Sequence, residues 1–335
     1  MPEKSQLKGN IYISSSSNPW HNQAFEEMLL ERDHQRQISF YLWRNERAVV
    51  IGRHQNAWKE CDWQALEREG GRLARRVSGG GAVFHDAGNI NFTFVMEKEN
   101  YNLPGQLKVI LRALRALGVE AVFAGRNDLE ANGRKFSGNA FCHRKRNSLH
   151  HGTILLNADF GLLEKYLRAS ADKISSKGVP SLRSRVVNLR ELQPSLTMER
   201  LKESLAAAFS AEYGGPEPQE VDTHKLSPPH LLEKFASWEW RLGASPACDV
   251  SYERRFAWGG VELLLCVSLG KITEARVFSD AMDGDFIAML GDCLPGRRFL
   301  TEEIVAAWRG LDPDGAQKEQ LEDVIAWFAG LFAGK

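Results

Sequence analysis

The stretch Arg75-Arg76-Val77-Ser78-Gly79-Gly80-Gly81-Ala82-Val83-Phe84-His85-Asp86 is the densest run of residues that could do chemistry in this chain. Its consecutive glycines let backbone N–H groups approach a ligand closely and accept positive φ. The two arginines just upstream offer planar, permanently charged donors suited to phosphate or carboxylate. A glycine hairpin with solvated arginines accounts for the glycines equally well. The run is not a Walker A loop, because no Gly-Lys-Ser/Thr follows. It also misses G-x-G-x-x-G, because Phe84 stands where the last glycine belongs. A phosphate loop of another kind is left.

Further on, Gly125-Arg126-Asn127-Asp128 precedes Gly133-Arg134-Lys135-Phe136-Ser137-Gly138. A lysine in a strand with small neighbours can reach inward to a ligand, although most lysines are surface charges. His150-His151-Gly152-Thr153 leads into the apolar Ile154-Leu155-Leu156. Adjacent histidines in a strand face opposite sides, so only one enters a given pocket. With no carboxylate or third histidine at ligand spacing, no metal site is expected. Cys61, Cys142, Cys248, Cys266 and Cys293 are widely spaced and form no C-x-x-C pair. Neither a disulfide framework nor a zinc knuckle is expected.

These residues need a scaffold. Asn18-Pro19 before WHNQAFEEMLL predicts an N-cap, a proline in the first turn and a helix. Strands are expected at 38–44 and 48–53, joined by Asn45-Glu46-Arg47. Further strands fall at 73–77, 82–84, 89–96, 119–123, 135–137 and 152–156. In 89–96, Ile90, Phe92, Phe94 and Met96 alternate with Asn91 and Thr93, which predicts a half-buried strand. Helices are expected at 62–69, 106–117, 160–167 and 198–213. The Gly/Pro-rich 214–229 reads as loop, and 261–278 as a hairpin followed by three helical stretches. The order is mixed, so the class is α+β and not a doubly wound sheet.

The 335 residues suit a large domain with a smaller one attached. Forty-three basic residues balance forty-three acidic ones, so no global field draws the chain to nucleic acid or membrane. MPEKSQLKGN carries no leader pattern and no apolar run is long enough to span a bilayer, which predicts a reduced, cytoplasmic protein.

Taken together, these pieces resemble the lipoate–protein ligases of the biotin/lipoate ligase superfamily. The matching stretches are GRHQNAWKEC (52–61), LARRVSGGGAVFHDAGNINFTF (73–94), GRNDL (125–129), GRKFSGNA (133–140) and HHGTILLNAD (150–159). KGVPSLRSRVVNL (177–189), SWEW (237–240) and FAWGGVEL (256–263) extend the likeness into the tail of the long form. The resemblance implies a large mixed-sheet catalytic domain, 1–246, and a small α+β accessory domain, 250–335. It also implies that lipoate, or octanoate, is activated with ATP and Mg²⁺ to an acyl-adenylate with loss of diphosphate. The acyl group then passes to a lysine of apo lipoyl domains of 2-oxoacid dehydrogenase E2 subunits or of glycine-cleavage H protein, with release of AMP.

By the same resemblance Lys135 is catalytic and bridges the acyl carbonyl and the α-phosphate. Arg76, Gly81, Ala82, Val83, Phe84 and Lys135 hold ATP. Ser78, His85, His151 and Lys135 contact lipoate, and Asn127 and Asp128 touch nucleotide or Mg²⁺, with no dedicated metal cage. The Phe92/Phe94 strand and the Trp20/Phe25 helix could line the acyl tunnel, a duty that core packing explains equally well. Residues 177–189 would close over the adenylate. A monomer with no nucleic-acid or membrane partner is expected. A thioester route lacks its cysteine, since none lies between Cys61 and Cys142 or between Cys142 and Cys248. The alternatives are a lipoyltransferase that uses only preformed lipoyl-AMP and, from another class, an RNA-binding module built on His143-Arg144-Lys145-Arg146-Asn147.

Overall fold

Asn18 starts helix α1 (Pro19–Glu31): its side chain accepts from the Trp20 N–H at 3.0 Å, and Pro19 removes a donor that would lack a partner there. The computed structural model describes residues 7–125, 127–168, 185–242 and 250–331. Contacts divide the chain into a unit of residues 1–51, 57–77 and 82–241 and a second of 52–56, 78–81 and 242–335.

The strands of the first unit are β1 (Lys8–Ser14), β2 (Gln37–Trp43), β3 (Ala48–Ile51), β4 (Arg72–Arg75), β5 (Val83–His85), β6 (Asn89–Glu97), β7 (Val122–Ala124), β8 (Asp128–Ala131), β9 (Arg134–His143), β10 (Asn147–Leu155) and β11 (Gln219–Val221). Among the described residues they form a mixed sheet in the order β11-β1-β2-β6-β10-β9-β8-β7 and a small sheet β4-β3-β5. The turn at 45–47 therefore joins two sheets and does not close a hairpin.

One face of the large sheet buries Phe40, Leu42, Phe92 and Phe94 beneath helices α2 (Leu103–Ala116) and α3 (Met198–Tyr213). The sequence 214–229 is not all loop: it holds β11 and helix α4 (Thr223–Leu226). The other face packs Tyr41, Trp43, Val95 and Leu149 against α1 and helix α5 (Pro229–Ala236), which helix α6 (Trp238–Arg241) follows. Each fully buried aromatic ring contributes about 1.5–3 kcal/mol of transfer free energy.

Strand β6 is thus covered on both sides, not half-buried; Asn91 and Thr93 are 2% and 0% exposed. Their polar atoms are matched inside, with the Asn91 amide donating to the Trp43 carbonyl at 3.3 Å.

In the second unit, β12 (Val250–Phe256), β13 (Gly259–Ser268) and β14 (Lys271–Ser279) form an antiparallel sheet. Its apolar side and helices α7 (Gly284–Asp292), α8 (Thr301–Arg309) and α9 (Ala316–Gly330) enclose a separate core around Leu265, Phe286, Trp308 and Phe328. Strand β12 was not legible in the sequence, whereas the hairpin and the three helices were. Cys266 is disulfide-bonded, against the expectation of a fully reduced chain.

The segment 78–81 belongs to this second unit by its contacts. Gly80, at φ +89°, donates its N–H to the Ala281 carbonyl at 2.9 Å. A Cβ at Gly79 would sit 2.5 Å from that carbonyl oxygen, so only glycine fits there.

Candidate active site

Strand register places a polar group on the α1 face of the large sheet. Ala140, His151, Thr93 and Tyr41 line up across β9, β10, β6 and β2. In the neighbouring row Thr153 is paired with Asn91, and Asn91 with Trp43. The Gly138 N–H donates to Thr153 Oγ1 at 3.2 Å, which extends that row to β9.

Glu26 of α1 reaches down onto these rows. Its Oε1 accepts from Thr93 Oγ1 at 2.6 Å and contacts His151 Nδ1 at 2.8 Å. Trp43 Nε1 donates to Thr93 Oγ1 at 3.0 Å. The carboxylate, 1% exposed, is held by partners on two strands, which is what a buried charge requires. Because Glu26 accepts, His151 carries its proton on Nδ1 and its orientation is fixed.

His150 faces the opposite side, as adjacency in a strand demands. It is clamped between Gln106 at 2.8 Å and Asn139 at 2.9 Å, and burial pushes its pKa down to about 3.

A second chain of bonds orients His85. Asn22 of α1 accepts from Ser14 Oγ at 2.7 Å and Tyr41 OH at 3.0 Å, and donates to the Arg44 carbonyl and to Asn45 Oδ1. Asn45 in turn meets His85 Nδ1 at 3.0 Å through its amide nitrogen. Nδ1 therefore accepts and Nε2 carries the proton; Nε2 is buried without a partner. Burial, then the charges of Arg76 and His151, push the His85 pKa down to about 3, so a neutral ring offers a donor.

Arg76 follows β4 and is 7% exposed. It donates to the Val50 carbonyl at 3.2 Å. Burial lowers its pKa to about 10, with Glu26 opposing the shift, and the guanidinium stays charged at neutral pH.

Arg75 is placed otherwise than expected. It donates to the carbonyls of Trp240 and Arg241 at 2.8 and 3.0 Å, while Trp240 Nε1 donates to the Arg75 carbonyl at 2.7 Å. This arginine clasps the end of α6.

Lys135 lies on β9 with its ammonium 2.7 Å from Asp128 Oδ1. The missing side chain of Gly138 makes room for it: a Cβ there would stand 3.1 Å from Nζ. The contact is an ion pair, since no hydrogen-bond geometry is met at that oxygen. Asn127 is tied to Asn139 by reciprocal amide-to-carbonyl bonds of 3.2 and 3.0 Å. Its side chain thus braces the β8–β9 connection. The Val187 N–H donates to the Lys135 carbonyl at 2.9 Å, so the end of the 177–189 stretch is anchored beside the lysine; 177–184 lies outside the described residues.

Ala82, Val83 and Phe84 lead into β5, an edge strand of the small sheet whose outer backbone has no ladder partner among the described residues. The Phe84 ring is buried, 5.7 Å from that of Tyr166, which leaves only its backbone for a ligand. Ser78 and Gly81 lie in the segment that belongs to the second unit.

Of the two readings of the aromatics, core packing is the one found. Phe92 and Phe94 lie in the core beneath α2 and α3, so they share no wall with Phe25 of α1. The strand β6 residues on the α1 side are Asn91, Thr93 and Val95. The basic tip at 143–147 joins the antiparallel strands β9 and β10 as a charged hairpin tip, where Arg144 pairs with Glu27 at 2.7 Å and Arg146 with Asp33 at 2.5 Å. Sequence reasoning missed Glu26, Thr93, Trp43 and Asn45. The available signal was a helix whose Asn22, Gln23, Glu26 and Glu27 share one flank with apolar residues on either side.

Comparison with known proteins gives the family. The family model described as the lipoyl protein ligase A/B catalytic domain matches residues 18–210, and that of the bacterial lipoate protein ligase C-terminus matches 245–328. The crystal structure of P. falciparum LipL1 in complex with lipoate is 30% identical, covers 95% of this chain and 98% of its own, and superposes with a TM-score of 0.84. The bipartite lipoate protein ligase of Thermoplasma acidophilum is 25% identical over 73% of this chain and 100% of its own, with a TM-score of 0.63. A lipoate-protein ligase A bound with ATP is 25% identical over 71% of this chain and 99% of its own, with a TM-score of 0.62. No described helix is long and apolar enough to cross a membrane. Matched through both its catalytic and its C-terminal regions, the chain belongs to the lipoate–protein ligase family.

Proposed function

We propose that this chain activates free lipoate with ATP to lipoyl-AMP and passes the lipoyl group to a lysine amine of apo lipoyl domains and of H protein. The observation that carries the reading is the pair of fixed cations, buried Arg76 and Lys135, bordering a face that also offers the neutral donors of His85 and Thr153. A carboxylate attacking an α-phosphate must overcome repulsion between two anions, and cations positioned beforehand lower that barrier. Lys135 is held at Asp128 until the anions arrive, then bridges acyl oxygen and phosphate. The edge backbone of Ala82, Val83 and Phe84 suits a nucleotide base. Asn127 acts by bracing β8 and β9, and His151, fixed by Glu26, borders the acyl chain.

Mg²⁺ enters with ATP as co-substrate. Among the described residues no cluster of three His, Cys, Asp or Glu could cage it, so triphosphate oxygens and at most Asp128 would hold it.

Cysteine chemistry is disfavoured by Cys61, whose thiol is 1% exposed and pushed up to about 12 by burial, so it has no thiolate to offer.

The test is exchange of labelled diphosphate into ATP with only lipoate and Mg²⁺ present, followed by discharge to an apo lipoyl domain. Exchange supports the ligase. Use of synthetic lipoyl-AMP without exchange would make the chain a transferase.

A further inference from the structure

Gln23 of α1 is 1% exposed, and neither its amide oxygen nor its amide nitrogen has a hydrogen-bond partner. A buried amide with both ends unmatched is rare and calls for a physical reason. The other buried polar residues of the helix have their partners. Asn22 makes bonds to Ser14, Tyr41, Arg44 and Asn45; Glu26 to Thr93 and His151; Glu27 to Arg144 and Lys234.

Helical spacing puts Gln23 beside Trp20, Glu26 and Glu27, three and four residues away. Glu26 touches β6 and β10, while Trp20 Nε1 donates to the Leu73 carbonyl of β4 at 2.9 Å. Gln23 therefore lies on the flank of α1 whose neighbours meet those rows on one side and β4 on the other. A second orphan, His85 Nε2, borders the same region, its ring 6.1 Å from that of Trp43.

We propose that Gln23 is a specificity-determining contact for the distal end of the acyl substrate, its amide N–H donating to a dithiolane sulfur of lipoate. The inference rests on the lipoate-activating reading above and adds to it a preference for lipoate over octanoate. A dithiolane sulfur is a weak acceptor, yet it matches the donor at least in part. A plain alkyl end leaves the amide stranded in an apolar site, which is how polar sites reject analogues that lack the matching group.

Gln23→Leu keeps the apolar volume and removes the amide. Its ratio of kcat/KM for lipoate over octanoate in diphosphate exchange should fall roughly three- to tenfold, mainly through a gain for octanoate. The ratio of calorimetric Kd values for the two acids should move in the same direction. Should the leucine variant fail to fold, Gln23→Met makes the same comparison. Unchanged ratios in both measurements overturn the proposal, whatever happens to thermal stability. A parent protein that binds both acids but exchanges with neither would sink the ligase reading. The Kd ratios would still decide the role of Gln23.

Discussion

Lys135 keeps about a third of its side chain exposed and is paired with Asp128, so removing it takes away one partly screened ion pair and no core contact. Lys135→Ala should cost less than about 1 kcal/mol of stability while abolishing both adenylate formation and transfer. Lys135→Arg should not restore activity, because a planar fork cannot replace a compact ammonium between two oxygens. Near-normal turnover in the alanine variant, measured with folded protein, removes the lysine from the site. Two buried histidines give a separate test. His85 and His150 stay neutral down to about pH 3 in the folded chain, whereas unfolded histidine titrates near ~6.5. Between those values the unfolded chain binds the extra protons. Stability is therefore full above about pH 6.5 and declines as pH falls, by about 1.4 kcal/mol per pH unit for each histidine. Urea titrations at pH 7.5 and 5 check this, and equal stabilities would mean that these rings are hydrated. The lysine's place on a strand among small residues was legible in GRKFSG; the Glu26 and Asn45 partners were not, because they sit far away in sequence and are brought in only by α1 and by the turn between two sheets.

Helices α1, α2 and α3 and strands β2, β6, β7, β9 and β10 of the large sheet were legible in whole or in part, since capping residues and apolar periods declare themselves locally, whereas β1, β8 and β11 were not. What was not legible is which face each strand turns to which helix. Phe92 and Phe94 read equally well as tunnel or core residues until register put them under α2 and α3. Short elements such as β12 and α6 were hidden too, because a strand with Arg254 and Arg255 or a single helical turn carries little signal of its own. The Arg75-Arg76 pair shows the same limit: identical side chains one residue apart point to opposite duties. Arg75→Ala should lower the thermal midpoint, as the α6 carbonyls lose charge-assisted bonds each contributing about 1.5–3 kcal/mol, with KM for ATP little changed. Arg76→Ala should raise KM for ATP by an order of magnitude or more, while KM for lipoate moves less, since a guanidinium suits phosphate oxygens. A reversal of these two phenotypes would exchange the roles assigned to them.

Each unit has its own buried cluster, one around Phe40 and Phe94 and the other around Phe286 and Trp308, and separate cores unfold as separate cooperative steps. The residues proposed for the acyl side, Gln23, Glu26, Thr93, His85 and His151, all belong to the first unit. On the proposed reading, lipoate binds the folded first unit and not its unfolded chain. At a hundred times its Kd it should therefore stabilise that unit by about 2.7 kcal/mol, by mass action. Hydrogen exchange resolved by peptide separates the units without cutting the chain. Amides of β6 and β10 should slow roughly a hundredfold where they exchange by opening of the whole unit, whereas amides of β13 and α9 should not change. Glu26→Gln weakens the hold on His151 and should reduce the β6 and β10 protection gained from lipoate, with unliganded exchange nearly unaltered. Protection appearing first or only in β13 and α9 would place the acyl site in the second unit, and the register argument for the α1 face would fall with it.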